Sequence, residues 1–128
     1  MKLVLKSEEL AMWMLSIIAL LFSDVEWWWY LIMFIGPDIS MLGYLIGNKV
    51  GAWSYNLFHH KGIAILIVLL GFAFNLPNDG PTSIPDTIFL VYLGISLFGH
   101  SSMDRFFGYG LKYENGFKFT HLGEIGKK

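Results

Sequence analysis

Four long apolar segments alternate with short polar segments along this chain. Their lengths and boundaries predict helices over residues 7–22, 27–36, 49–74 and 86–107. Residues 37–47 begin with the helix breaker Pro37 and predict a short interfacial or re-entrant segment between the second and third helices. Residues 75–85 are rich in Pro, Asn and Gly and predict a loop. The predicted fold is all-α, a four-helix transmembrane bundle.

Composition and charge support a membrane location. The chain is 55% hydrophobic and 15% charged, with a mean hydropathy of +0.53, whereas an average soluble domain is about 25% charged. Nine basic residues lie near the same ends of the predicted helices: Lys2, Lys6, Lys49, Lys61, Arg105, Lys112, Lys118, Lys127 and Lys128. Cytoplasmic loops are enriched in Lys and Arg, so we expect a multi-pass protein with both termini in the cytoplasm.

The length of 128 residues allows one transmembrane domain (1–110) followed by a polar cytoplasmic tail (111–128). We expect residues 10–22 to be retained as a helix rather than removed as a targeting signal. A net charge of −1 argues against nucleic acid as a partner, which leaves membrane lipids and a second copy of the chain. The absence of cysteine excludes disulfides and thiolate metal sites.

Ionisable residues recur at one depth of the predicted bundle. Glu9, Asp38, His60 and His100 lie 12 to 15 residues from the outer ends of their helices. At a rise of about 1.5 Å per residue, this distance is roughly 18–22 Å. Ionisable groups at membrane depth are costly and are usually functional. The sequence therefore predicts a polar site near the cytoplasmic ends of the helices.

Spacing within the helices indicates metal chemistry. His100 and Asp104 are four residues apart and share one helix face. Imidazole and carboxylate ligands without cysteine suit zinc, manganese, magnesium or iron, and such an ion can activate water for hydrolysis. The predicted metal ligands are Asp38, His59, His60, His100 and Asp104, and the predicted catalytic residues are Asp38, Asn56, His59, His100 and Asp104, with Asn56 orienting a ligand or substrate.

Basic residues near this site suggest the substrate. Lys61, Arg105 and Lys112 would favour an anionic headgroup or phosphate. A lipid ester or phosphoester at the cytoplasmic leaflet is the natural substrate for a site at that depth. The first hypothesis is therefore a membrane-embedded, metal-dependent hydrolase.

The same residues also have structural interpretations. Adjacent histidines point about 100° apart on a helix, so at most one of His59 and His60 is expected to face the core. His100 and Asp104 could form a structural hydrogen-bonded pair, and Asp38 could cap the segment that follows Pro37. Asn56 could form an interhelical hydrogen bond, and His121 could lie on the surface or fold back over the site. The second hypothesis is a non-enzymatic membrane protein whose His/Asp cluster is a structural or proton- or ion-handling network.

Several strings along the chain resemble one known family. They are Pro37-Asp38-Ile-Ser-Met-Leu-Gly-Tyr44, Tyr55-Asn56-x-x-His59, His100-x-x-x-Asp104-Arg105-x-x-Gly-Tyr-Gly-Leu-Lys-Tyr113 and Thr120-His121-Leu-Gly123. Together they resemble the small four-helix bacterial membrane family called domain of unknown function 4260. The resemblance covers nearly the whole chain and implies an integral protein of the bacterial inner membrane with no established activity.

The order of three elements is also similar to that in bacterial inner-membrane metal-dependent hydrolases, which carry Pro-Asp-x-Asp, a His-rich element and His-x-x-x-Asp. Here Ser40 stands in place of the second Asp, and the Arg-x-x-Thr-His part of the His-rich element is absent. These departures argue against a binuclear site and leave a mononuclear or a metal-free one.

Overall fold

The computed structural model describes residues 1–74 and 88–127, which form five α-helices, a 3-10 segment and a short hairpin. The elements are α1 (Lys2–Phe22), α2 (Trp28–Ile35), the 3-10 segment (Gly36–Leu45), α3 (Asn48–His59), α4 (Lys61–Phe74), α5 (Ile88–Phe107), β1 (Phe119–Thr120) and β2 (Gly123–Glu124).

Helix α5 is the centre of the molecule and contacts each of the other four helices. Two glycines on α5 allow this close packing. A Cβ atom at Gly94 would lie 2.7 Å from the backbone oxygen of Ala64 on α4, and one at Gly99 would lie 2.8 Å from Cβ of Ser16 on α1. Because interiors are close-packed, larger side chains at either position would push neighbouring helices away from α5.

The 3-10 segment is fixed to α3 and brings its acidic residue to the interior. Ser54 on α3 donates a hydrogen bond to the backbone oxygen of Ser40 at 2.9 Å. Gly51 allows the ring of Tyr44 to pack on α3, because a Cβ there would lie 2.3 Å from Cγ of Tyr44. Asp38 makes no side-chain cap for this segment, so the capping role considered for it is not observed.

The predicted helix over residues 49–74 is two helices, α3 and α4, whose axes differ by 47°. His60 separates them with an extended backbone (φ −88°, ψ 111°). Its carbonyl accepts hydrogen bonds from the backbone N–H groups of Ile63 and Ala64, which begin α4. Its Nδ1 also accepts a hydrogen bond from Ile63 at 3.3 Å. His60 therefore acts as the N-cap of α4.

The tail folds back onto α3. Strands β1 and β2 pair antiparallel, and Lys112 forms a bridge with Thr120 of β1. The Asn56 side chain on α3 holds the backbone of Lys112 from both sides: it donates to the Lys112 oxygen at 2.9 Å and accepts from the Lys112 N–H at 2.7 Å. These bonds bring Lys112 and the residues around it against the site described below.

The helical fold is confirmed. The predicted count of four helices is wrong, since residues 49–74 form two helices. The predicted start of the first helix at residue 7 is also wrong, since α1 begins at Lys2. The loop over residues 75–85 and the start of the last helix at residue 86 lie outside the described residues. Among the helices the structure describes, none is by itself both long and apolar enough to cross a membrane, although α3 and α4 together meet that criterion.

Candidate metal centre

Four side chains from three elements meet at one point beside α5. They are Asp38 of the 3-10 segment, His59 of α3, and His100 and Asp104 of α5. One nitrogen or oxygen atom from each lies within 4.8 Å of the other three. The fold thus collects two imidazoles and two carboxylates that lie far apart in the sequence, and this group could hold a metal ion.

Hydrogen bonds fix the orientation of both imidazoles. Nδ1 of His100 lies 2.8 Å from the carbonyl oxygen of Met33, and Nδ1 of His59 lies 2.8 Å from that of Tyr55. A carbonyl oxygen can only accept, so each Nδ1 carries the hydrogen. In the neutral rings, each Nε2 then holds a lone pair, and the two Nε2 atoms lie 3.1 Å apart. Two lone pairs at this distance repel unless a proton or a cation lies between them.

The spacing of the donor atoms fits a coordination sphere. Nε2 of His59 lies 3.6 Å from Oδ1 of Asp38 and 3.4 Å from Oδ2 of Asp104. Nε2 of His100 lies 3.4 Å from Oδ1 of Asp38 and 3.8 Å from Oδ1 of Asp104. Metal–ligand bonds of about 2.0–2.1 Å separate tetrahedral ligand atoms by about 3.3 Å. The His100–Asp104 distance is also too long for the direct hydrogen bond of a structural pair.

The cluster is buried on one side and open on the other. His100 is fully buried, and the Asp104 side chain is 13% exposed, whereas the Asp38 side chain is 39% exposed. The Tyr55 hydroxyl donates a hydrogen bond to Oδ2 of Asp104, and its ring stacks on His59 at 3.6 Å. Tyr55 therefore orients two members of the cluster, and Asp38 forms its accessible edge.

Lys112 brings a buried positive charge near the cluster. Lys112 is 3% exposed, and its ammonium has no hydrogen-bond partner in the described part of the chain. The ammonium lies 3.9 Å from the ring centroid of Phe117 and 4.8 Å from that of Tyr55. Burial lowers the pKa of Lys112 to about 8, although the nearby carboxylates of Asp104 and Asp38 act in the opposite direction.

The lowered pKa of Lys112 predicts a pH-dependent stability. Between about pH 8 and the ordinary lysine value of 10.5, the unfolded chain binds a proton at Lys112 that the folded chain does not. Stability therefore rises with pH in this window.

The free energy of unfolding of the wild type minus that of Lys112→Met should rise from about pH 8 to 10.5 and be constant below and above this range. Chemical denaturation with a chelator present measures this, with Lys118→Met as the control for loss of a tail charge. A flat difference would contradict the burial of the charged ammonium.

Two predicted site residues lie outside the cluster. The His60 ring is exposed and caps α4 instead of facing the two carboxylates. Asn56 is fully engaged with the backbone of Lys112, so it holds the tail rather than a ligand. Of the two adjacent histidines, only His59 faces the cluster. Helix α3 ends at His59, and the extended backbone of His60 turns its ring outward.

The three predicted headgroup cations are in different surroundings. Lys61 forms an ion pair with Glu9 of α1. Arg105 is half-buried on α5 and has no ion-pair partner among the described residues. Lys112 is the buried cation beside the cluster. His121 is exposed on the tail, where its Nδ1 accepts a hydrogen bond from the N–H of Leu111 at 2.8 Å.

Two groups that shape the site were not assigned a role from the sequence. Tyr55 precedes His59 by four residues, so the shared helix face could have indicated their contact. The carbonyl of Met33 orients His100 across 67 positions of the chain, and a backbone group carries no sequence signal.

The comparisons with known proteins concern the family and not the chemistry. The chain matches no curated protein and no solved structure. A family model matches residues 2–125, which confirms the resemblance carried by the strings around Asp38, His59 and His100. The chain belongs to the family described as Domain of unknown function (DUF4260).

Proposed function

We propose that this protein binds one divalent metal ion through Asp38, His59, His100 and Asp104 and uses it to hydrolyse a lipid ester or phosphoester. The observation that carries the proposal is the convergence of the two Nε2 atoms, 3.1 Å apart, on a point flanked by two carboxylates. Metal-binding histidines usually donate their other N–H to a carbonyl or carboxylate, as both Nδ1 atoms do here.

The donor set favours manganese, iron or zinc over magnesium. Two imidazole nitrogens are borderline ligands that suit zinc and iron, and the two carboxylate oxygens are hard ligands that suit manganese, whereas magnesium prefers oxygen ligands alone. An octahedral ion held by four protein atoms would keep two positions for water and substrate. A tetrahedral zinc ion would have a position for water only if one carboxylate left it, and the exposed Asp38 is the carboxylate best placed to do so.

The chain's own residues would divide the remaining work. The bond from Tyr55 fixes the Asp104 carboxylate, and the carbonyls of Met33 and Tyr55 fix the imidazoles. Asp38 lies at the open edge, and the carboxylate oxygen that does not bind the ion would accept a proton from an attacking water. Asn56 would act indirectly, since it positions Lys112.

A membrane location supports a lipid as the substrate. Many large apolar side chains on the outer faces of the helices are exposed, including Leu15, Leu31, Leu69 and Phe72. Exposed apolar surface of this kind is typical of proteins that contact lipid or partners. We therefore propose a multi-pass protein of the bacterial inner membrane with both termini in the cytoplasm, where a second copy of the chain could cover part of this surface.

The distance between the imidazoles also supports a second candidate function. A separation of 3.1 Å is a hydrogen-bond distance, so a proton shared by His59 and His100 would also remove the repulsion. Asp38 and Asp104 would then stabilise the resulting positive charge. In this case the cluster is a proton-handling or structural network of a non-enzymatic protein.

Elemental analysis of the detergent-purified protein tests the two candidates. After reconstitution with manganese or zinc, the wild type should hold about one ion per chain, and the His100→Ala/Asp104→Ala double variant should hold none. The metal-loaded wild type is then assayed with carboxyl-ester and phosphoester lipids in micelles. A wild type that holds no metal would refute the hydrolase and leave the shared-proton network.

A further inference from the structure

The Lys112 ammonium lacks a polar partner where one is needed. It is enclosed by the rings of Phe117, Tyr55 and Tyr109, at 3.9, 4.8 and 5.6 Å from their centroids. Cation–π contacts stabilise a charge, but they offset only part of the cost of burying it without a counter-charge. No hydrogen-bond acceptor reaches this ammonium from the described residues. The surroundings of Lys112 are therefore incomplete for a charged group.

The backbone of Lys112 is held in place on two sides. Asn56 bonds both its N–H and its carbonyl, and the bridge to Thr120 holds the opposite side. The Tyr55 ring beneath the ammonium is the same ring that stacks on His59 and bonds Asp104. The ammonium attracts Asp104 and Asp38 but forms an ion pair with neither. A cation is thus held near the cluster without an ion pair to either carboxylate.

The charges of the site distinguish the two substrate classes. With a divalent ion bound, two carboxylates, two neutral imidazoles and one ammonium sum to a charge of +1. A neutral carboxyl ester would leave this excess uncompensated in a buried site, whereas a phosphoester anion would neutralise it. The other two cations are less suitable, because Lys61 is paired with Glu9 and Arg105 is only half-buried, whereas Lys112 is buried without a counter-charge.

We propose that the substrate is a phosphoester, and that the Lys112 ammonium donates a hydrogen bond to one phosphoryl oxygen while another phosphoryl oxygen lies at the His/Asp cluster. This inference rests on the proposed metal site. In the hydrolysis, a bond forms between phosphorus and the water oxygen, the bond between phosphorus and the alcohol oxygen breaks, and the proton lost by the water ends on the leaving alcohol.

The test is calorimetric binding of inorganic phosphate to the metal-loaded protein. The wild type should bind phosphate, and Lys112→Met should bind it about tenfold or more weakly, because a charge-assisted hydrogen bond is lost. Lys118→Met, on the exposed part of the tail, should match the wild type. Elemental analysis of each sample shows whether the metal is retained, so loss of phosphate binding with one ion per chain is a failure of Lys112 and not of the metal site.

A second measurement uses the wild type alone and does not depend on the folding of a variant. Phosphatidic acid and diacylglycerol share their acyl chains and differ by the phosphate, so in matched detergent micelles the first should bind and the second should not. Tighter binding of phosphatidic acid than of inorganic phosphate would identify a lipid headgroup as the source, and equal binding would identify a soluble phosphate compound. Either result supports the assignment of the anion.

Three results would overturn the inference. One is a metal-loaded wild type that binds neither phosphate nor phosphatidic acid, and another is a metal-loaded Lys112→Met protein that binds phosphate as tightly as the wild type. In both of these the proposed metal site stands. The first shows that the substrate class is wrong, and the second shows that Lys112 does not hold the phosphate. The third is a wild type that holds no metal, in which case the proposed function and this inference fail together.

Discussion

Replacing His59 by alanine should abolish divalent metal binding, whereas replacing His60 by alanine should leave it intact. Nε2 of His59 is at the centre of the cluster, 3.1 Å from Nε2 of His100 and within 3.6 Å of both carboxylates. The ring of His60 is exposed and bonds the backbone of Ile63. Elemental analysis after reconstitution with manganese should give about one ion per chain for His60→Ala and none for His59→Ala.

This pair is its own control, since the two residues are adjacent and the substitutions are identical. His60→Ala removes a capping bond and should cost about 1 kcal/mol of stability without loss of the ion. Added metal should also raise the unfolding temperature of His60→Ala and of the wild type, because a ligand that binds only the folded state stabilises it. About one ion per chain in both variants would mean that His59 is not a ligand.

The Gly94→Leu substitution should strongly destabilise the fold. A Cβ atom there would lie 2.7 Å from the carbonyl oxygen of Ala64 and 2.8 Å from the amide nitrogen of Val68. Both are backbone atoms of α4, so the clash cannot be relieved by a change of rotamer. Overpacking costs about 1–3 kcal/mol or more and should exceed the gain of roughly 1 kcal/mol from helix propensity. We expect the unfolding midpoint, followed by circular dichroism, to fall by roughly 8 °C.

Gly47→Ala is a control for the loss of a glycine at a position where an added Cβ atom meets no clash. A Cβ atom at Gly47 would meet no described atom within 4 Å, so the unfolding midpoint should stay close to that of the wild type. Since α4 and α5 meet at Gly94, Gly94→Leu should also weaken metal binding by moving α5 and His100. A Gly94→Leu protein as stable as the wild type would contradict the close approach of the two helices.

Much of the cluster could be predicted from spacing along single helices. His100 and Asp104 share a face because they are four residues apart, and the structure places both in the cluster. Asp38 and His59 were predicted from their residue types and from their position near the ends of apolar segments. Each of these inferences needed only local geometry, which hydrophobic and polar patterns describe well.

The parts that could not be predicted depend on contacts between distant segments. Counting residues inward from the outer ends of the predicted helices placed Glu9 and His60 at the depth of the site. In the structure, Glu9 pairs with Lys61, and His60 turns outward at the end of α3. An apolar pattern that continues from α3 into α4 does not reveal the break between them. The placement of Lys112 depends on Asn56, 56 positions away in the sequence, and this contact has no signal in the tail itself.

The positions of the four ligands have a further consequence. They stand at 38, 59, 100 and 104, so a bound ion would join the 3-10 segment, α3 and α5 into closed loops and restrict the unfolded chain much as a disulfide does. This chain has no cysteine. Its cross-link would therefore be a coordinated ion, made and released by metal supply and by protonation of the imidazoles, and not by disulfide reduction.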